Sequence, residues 1–347
     1  MKRLTSSRLI WPILALAVIM LFNAIFTPGF FRIEMKEGHL FGSLIDIFNR
    51  GAPLMLLAIG MTLVIATKGV DLSVGPVAAI AGATAAALIG NASGATDTPL
   101  WLVILAAIGV AMLCGAWNGL LVAFADIQPI VATLILMVAG RGVAQLITQG
   151  QILTIYYKPY YFIGAGHLFG LPFPLYIVGA VALLAWLLTR RTAFGLFIES
   201  IGINARSSFF SGINSRNVKF MVYVISGFCA GVAGLIISSN IRSADGNNAG
   251  LYFELDAILA VVIGGTALSG GRFFLAGSIL GALIIQSLTT TIYATGVPPE
   301  VTLVVKSIVV LTVALLQSPE FRRIVFGPFA RRKDAAPTDA APTEATS

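Results

Sequence analysis

Ten apolar runs, near 9–26, 53–67, 74–90, 100–124, 130–148, 172–189, 219–238, 256–270, 273–293 and 300–317, occupy most of this chain. About 20 apolar residues is what an α-helix needs to cross a bilayer. In lipid the backbone polar groups must be paired within the structure itself, and for runs of this length that means a helix. Of 347 residues 57% are hydrophobic and 11% are charged, against about 25% charge in a soluble domain. The expectation is an all-α membrane protein, a polytopic bundle of about ten transmembrane helices.

The first run follows Lys2, Arg3 and Arg8, the flank of a signal peptide. It is about as long as a full span and no A-x-A cleavage site follows it, so it reads as a retained first helix. Ten spans put both termini on one side. Of the 22 Lys and Arg, fifteen then fall inside, five outside (Arg32, Lys36, Arg50, Lys158, Arg242) and two within spans (Arg141, Lys306). That bias makes the termini cytoplasmic, and it explains the basic balance without nucleic acid. Cys114 and Cys229 sit mid-span, so no disulfide framework is implied. The chain divides into a membrane domain over 1–320 and a tail over 321–347. The tail is basic and then becomes "DAAPTDAAPTEATS", which lacks apolar bulk and reads as disordered.

Two runs are interrupted in similar ways. "VIATKGVDLSVG" and "VVIGGTALSGG" align at an offset of 196, pairing Gly69 with Gly265, Leu72 with Leu268, Ser73 with Ser269 and Gly75 with Gly271. Gly-interrupted segments at matching places in two halves point to a transport path and to a pseudo-repeat. The alternative is chance recurrence of the small residues that membrane helices use for packing. The preceding runs, 53–67 and 256–270, are short for spans, which places the breaks partly at membrane depth. Asp71 must then face inward or reach the interface, with Lys68 as its expected partner; otherwise the pair marks a plain turn. The glycines suggest a hinge.

The longest inside loop, about 190–219, contains a helix of under two turns over about 205–210. Asn204 is its N-cap and Ser211-Gly212 its stop. A helix this short is not stable alone. Phe209 and Phe210 give it an apolar face, so it either lies on the membrane surface or docks into a partner.

Four motifs in order, "TKGVDLSVG", "QPIVATL", "IESIGINARSSFFSGIN" and "AVVIGGTALSGGRF", resemble the permease subunits of ribose/galactose-type ABC sugar importers. The resemblance covers about residues 9–320. Stretches such as "ATLILMVAGRGVAQLITQGQ" are most similar to galactofuranose-type members. It implies a cytoplasmic ABC ATPase that holds the ATP and Mg, a periplasmic sugar-binding protein, and a second permease forming a homo- or heterodimer. It also implies no cofactor on this chain. Glu199, Gly202, Asn204, Ser207, Ser208, Ser211 and Gly212 match the family's ATPase-coupling segment. Two departures stand out: Lys68 occupies a position where members commonly carry Gly, and Ser207-Ser208 replaces a usual Ala-Ala.

Other classes fit poorly. Both histidines, His39 and His167, fall in outside loops and no G-x-S-G occurs, against an intramembrane serine protease. No two Asp are four apart, as a diphosphate-Mg site would need, and none of the seven lysines follows a Gly, so there is no P-loop. An ATP-independent facilitator for small polar solutes is the alternative; it would need no docking segment. Few charges within spans suit a neutral sugar. Candidate path residues are Asp71, Ser73, Asn118, Gln128, Thr133, Gln145 and Asn240, with Ser238 and Ser239 as further hydrogen-bonders; each could instead serve helix–helix packing. Arg242, Asp245, Asn247 and Asn248 are candidates for binding-protein contact, in a segment that is otherwise an ordinary solvated loop.

Overall fold

The computed structural model describes residues 10–36, 38–90, 98–296 and 298–317. The residues before 10, the start of the expected first helix, and the tail over 321–347 lie outside them. The early helices are α1 (Ile10–Phe26), α2 (Ser43–Ala66), α3 (Val74–Ile89), α4 (Leu100–Ala123), α5 (Pro129–Ile147) and α6 (Lys158–Ala165). They are followed by α7 (Phe173–Arg190), α8 (Ala193–Phe210), α9 (Ser215–Ile241), α10 (Phe253–Ile263), α11 (Leu275–Ala294) and α12 (Pro299–Gln317). Six short strands pair antiparallel in twos: β1 (Glu34–Lys36) with β2 (His39–Phe41), β3 (Ile152–Thr154) with β6 (Ser243–Asp245), and β4 (His167–Leu168) with β5 (Leu171–Pro172).

Among the described residues six helices are long and apolar enough to cross a membrane: α2, α4, α5, α7, α9 and α11. Val74–Ile89 and Pro12–Phe26 are apolar but shorter. The chain is an all-α membrane protein in which the strands serve only to tie loops together. The run at 53–67 is not a short span: α2 has 24 residues and continues through Pro53. Its first turns carry Asp46, Asn49 and Arg50, which lower the local hydropathy and hide the helix from an apolar scan. The run at 256–270 is indeed short, since α10 has 11 residues.

The bundle is built around α2 and α9. Every residue of α2 from Gly51 to Ala66 is buried, and α9 packs against α4, α2, α3 and α6. Lipid is as apolar as leucine, so close packing and interhelical hydrogen bonds must hold such helices together. Gly227, Gly231 and Gly234 line one face of α9. A Cβ on Gly227 would lie 2.5 Å from the Ala111 carbonyl oxygen of α4, and one on Gly234 would collide with the Ala78 carbonyl of α3. Polar pairs do the rest: Asn23 Nδ2 donates to Thr291 Oγ1 at 2.6 Å, joining α1 to α11, and Thr62 Oγ1 donates to Ser278 Oγ at 2.7 Å, joining α2 to α11. The outer faces are apolar, with Leu113, Val138 and Leu21 largely exposed. We expect Gly227→Leu to cost about 3 kcal/mol through overpacking. Monodisperse protein recovered from detergent, measured by size-exclusion chromatography, should fall accordingly.

Candidate functional site

Two neighbouring features carry the polar chemistry: the break between α2 and α3, and the bent helix α8. At the end of α2, Gly69 N–H donates to the Val64 carbonyl at 3.0 Å, a closing bond beyond Lys68, which adopts the left-handed conformation with φ 64°. A residue other than glycine rarely adopts that conformation. Gly69 is required for a different reason, since a Cβ there would lie 2.7 Å from the Tyr223 hydroxyl.

The left-handed turn throws Lys68 away from Asp71, so the expected pair does not form. Lys68 Nζ instead donates to the Ile203 carbonyl of α8 at 3.1 Å. Asp71 is 2% exposed and lies among neutral donors. Its Oδ1 accepts from Ser73 N–H at 3.1 Å and Ser73 Oγ at 2.7 Å, and its Oδ2 accepts from Ser226 Oγ of α9 at 2.8 Å. Asn118 Nδ2 of α4 donates to Ser73 Oγ at 2.8 Å. The Val70 carbonyl accepts from Tyr223 Oη at 3.3 Å and Thr133 Oγ1 at 3.4 Å. Four helices thus hold the break. It is a fastened knot.

The second break touches the first. Beyond α10, Gly265, Gly270 and Gly271 all have positive φ. Gly271 N–H donates to the Ala66 carbonyl at 2.9 Å, and Gly270 lies against Lys68. Gly202 of α8 wedges between these strands of backbone; a Cβ there would collide with the Ala66 carbonyl and with Gly271.

In α8 the expected short helix is present, but it is the second arm of a longer one. Asn204 leaves helical geometry (φ −155°, ψ 100°), which bends the segment there. Its Oδ1 accepts from Arg206 N–H and Ser207 N–H, both at 3.0 Å. The arm ends where Ile213 N–H donates to the Ser208 carbonyl at 3.0 Å and Gly212 has φ 83°. Ser207 and Ser211 are exposed and Glu199 is half-buried on the first arm. Ser208 faces back into its own chain, 5% exposed, with Oγ donating to the Asn204 carbonyl at 2.9 Å. Ile203, Phe209 and Phe210 project outward, 67%, 65% and 78% exposed.

The remaining path candidates do not converge with Asp71, Ser73, Asn118 and Thr133. Gln128 is exposed at the start of α5. Gln145 Nε2 donates to Asn247 Oδ1 at 2.6 Å and so belongs to the 243–252 loop. Asn240 lies half-buried near the end of α9, where Gly164 of α6 packs on its backbone. Ser238 and Ser239 are engaged with α6: Tyr160 Oη and Ser238 Oγ lie 2.6 Å apart, and Ser239 Oγ donates to the Tyr160 carbonyl at 2.7 Å. Ser243–Asp245 follow the far end of the 27-residue α9, whereas Gly250 of the same loop packs on Gly75 at the start of α3. Arg242 lies with its guanidinium 4.8 Å over the Tyr161 ring. Asp245 accepts from Asn247 N–H, Asn248 N–H and Asn248 Nδ2. Burial pushes its carboxyl up, but the Asn248 and Asn247 bonds and the Arg141 guanidinium hold it below the usual carboxylate range.

Sequence reasoning missed Glu254. It is 2% exposed, its Oε2 has no hydrogen-bond partner among the described residues, and it sits on Gly75 at the start of α3, where any side chain would strike it. Arg141 Nη1 donates to the Ala249 carbonyl at 2.6 Å, so the loop before Glu254 packs down onto α5 and α3. The available signal was an acidic residue in the first turn of an apolar run. No group of three or more His, Cys, Asp or Glu able to hold a metal occurs among the described residues.

Residues 43–314 match the family described as branched-chain amino acid transport system / permease component. The galactofuranose transporter permease protein YtfT of Escherichia coli K12 is 53% identical over 328 residues, covering 93% of this chain and 95% of that protein. The fructose import permease protein FruF of Bifidobacterium longum NCC 2705 is 40% identical over 329 residues, covering 93% and 91%. The ribose import permease protein RbsC of Bacillus subtilis 168 is 36% identical over 307 residues, covering 88% and 91%. With four fastened helices around a polar break, a bent segment presenting aromatic side chains, and these similarities along nearly its whole length, the chain belongs to the permease subunits of ribose/galactose-type ABC sugar importers, multi-pass inner-membrane proteins that carry out transport rather than catalysis.

Proposed function

We propose that this chain passes a neutral sugar, galactofuranose or a related pentose or hexose, from a periplasmic binding protein to the cytoplasm. The observation that carries the substrate reading is the 53% identity to the galactofuranose permease over 93% of the chain. Hydrolysis of ATP with Mg belongs to a cytoplasmic ABC ATPase, and a second permease, identical or different, completes the pore. The membrane domain over 1–320 has about ten spans in two pseudo-repeated halves with both termini cytoplasmic, and 321–347 is a cytoplasmic tail. Residues 204–212, with Glu199 and Gly202 behind them, dock the ATPase. Arg242, Asp245, Asn247 and Asn248 meet the binding protein, which reads the sugar. The knot of Asp71, Ser73, Asn118 and Thr133 borders the path, with Gln128, Gln145 and Asn240 along it.

What supports a neutral substrate is the scarcity of charge within the spans: no Arg or Lys fork of the kind that recognises anions bidentately stands among the buried, internally bonded side chains of Asp71, Ser73, Asn118 and Thr133. Uptake into vesicles holding the full complex should favour labelled galactofuranose, ribose or galactose at least about tenfold over a sugar acid at matched binding-protein affinity, a difference of about 1.4 kcal/mol. Equal uptake of the sugar acid would refute the reading.

A further inference from the structure

We propose that the cavity behind the bend of α8 is a binding site for a phosphate-bearing anion, on either a phospholipid headgroup or a soluble phosphate ester. The cavity, about 530 Å³, lies between α8 and the break after α2, and its walls include Thr67, Lys68, Asn204, Arg206, Lys219 and Tyr223. Three of these six are cations, and among the described residues no carboxylate lines the cavity and none of the three cations is in an ion pair. The positive excess continues into an adjoining cavity of similar volume, where Asp126 faces Arg206, Arg216 and Lys219. Clustered cations in a concave site focus potential on an anion, and basic pockets beside membrane helices accept anionic headgroups.

Lys68 supplies an independent argument. Its backbone is left-handed, where glycine would rest without strain. Lys68 thus brings its ammonium group to this wall at a conformational cost that glycine would avoid. One of its three protons goes to the Ile203 carbonyl at 3.1 Å, which leaves two for a ligand. The Thr67 and Tyr223 hydroxyls are spent on the Val64 and Val70 carbonyls, so the donors that face a phosphate are the three cations and the Nδ2 of Asn204, whose Oδ1 caps the arm. A ligand held there would touch both the break and the bend, and so would brace α8 against the membrane domain. The site is independent of which sugar the pore carries.

The test uses the full chain in nanodiscs. In one arm, inorganic phosphate and hexose 6-phosphate are titrated by calorimetry into protein in phosphatidylcholine discs. In the other, retained lipid is counted by native mass spectrometry from discs containing phosphatidylglycerol. Each arm compares wild type with Lys68→Gly, Lys68→Arg and Lys219→Gln. Saturable binding of a soluble phosphate, weakened about fivefold or more by Lys68→Gly and Lys219→Gln and kept by Lys68→Arg, supports the site with a soluble ligand. The same pattern in phosphatidylglycerol retention alone supports it with a lipid headgroup. Lys68→Gly relieves the left-handed strain but also removes the Lys68–Ile203 bond, so its melting curve is read beside its binding, and Lys219→Gln, which touches neither, shows whether a loss of binding follows the charge or the fold. Unchanged behaviour of Lys68→Gly and Lys219→Gln in both arms overturns the proposal.

Discussion

Asp71→Ala is expected to abolish transport and to lower stability by about 3 kcal/mol. The carboxylate accepts from Ser73 N–H, Ser73 Oγ and Ser226 Oγ, and it is buried. Removing it leaves three donors without an acceptor in a place that water does not reach, and each buried unsatisfied group costs about 1–3 kcal/mol. The costs do not add fully, because freed hydroxyls turn toward nearby carbonyls. Asp71→Asn should be milder. Its amide oxygen still accepts from Ser73, while its NH₂ faces Ser226, whose hydroxyl can reverse and accept. Asn should therefore express at the wild-type level and fold, with transport reduced at least about tenfold if the knot must stay fastened during the cycle. Thermal unfolding in detergent separates the effects: a large drop for Ala and a small one for Asn. A wild-type melting curve for Ala would show that the knot does not hold the break.

The reach of the sequence is clearest where it failed. Lys68 and Asp71 are three apart, and on a helix such residues face each other. The chain is not helical there, and one left-handed residue sends the two side chains to different partners. Hydropathy located the buried half of α2 and missed its first turns, because Asp46, Asn49 and Arg50 lie at the end of a helix whose remainder is in the core. The cap at Asn204 and the stop at Gly212 were legible because local backbone chemistry dictates them. The first arm of α8 was not, since Ala193–Ile203 is held by packing of Gly195, Ile198, Ile201 and Gly202 against the bundle. The bond of Gln145 to Asn247 spans a separation of 102 positions, which no local pattern reveals. Glu254 was hidden by its polar neighbourhood in sequence and is buried by the fold.

The second large effect concerns the outward face of the α8 bend. Ile203, Phe209 and Phe210 are exposed where the rest of the turn is polar, and exposed aromatic side chains on a rigid turn are anchors for a partner. The fold does not depend on them, so Phe209→Asp with Phe210→Asp should leave expression and melting unchanged. The same pair should remove the ATPase from the purified complex. Asn204→Ala acts differently: it loses the cap, costs the arm about 1 kcal/mol, and should weaken coupling without abolishing it. Ser208→Trp disrupts the turn from within, because Ser208 faces its own chain. Any loss of coupling in that variant reports how the turn is held and not how it docks.

ATP-dependent uptake of a labelled neutral sugar, in vesicles containing the permease, its ATPase and its binding protein, is the most direct measurement. Wild type should take up sugar only when ATP and the loaded binding protein are both present. The Phe209→Asp, Phe210→Asp variant should fall at least about tenfold, a loss of about 1.4 kcal/mol or more in docking. Undiminished ATP-driven uptake by that variant, at equal amounts of permease in the membrane, would contradict a coupling role for the bend of α8.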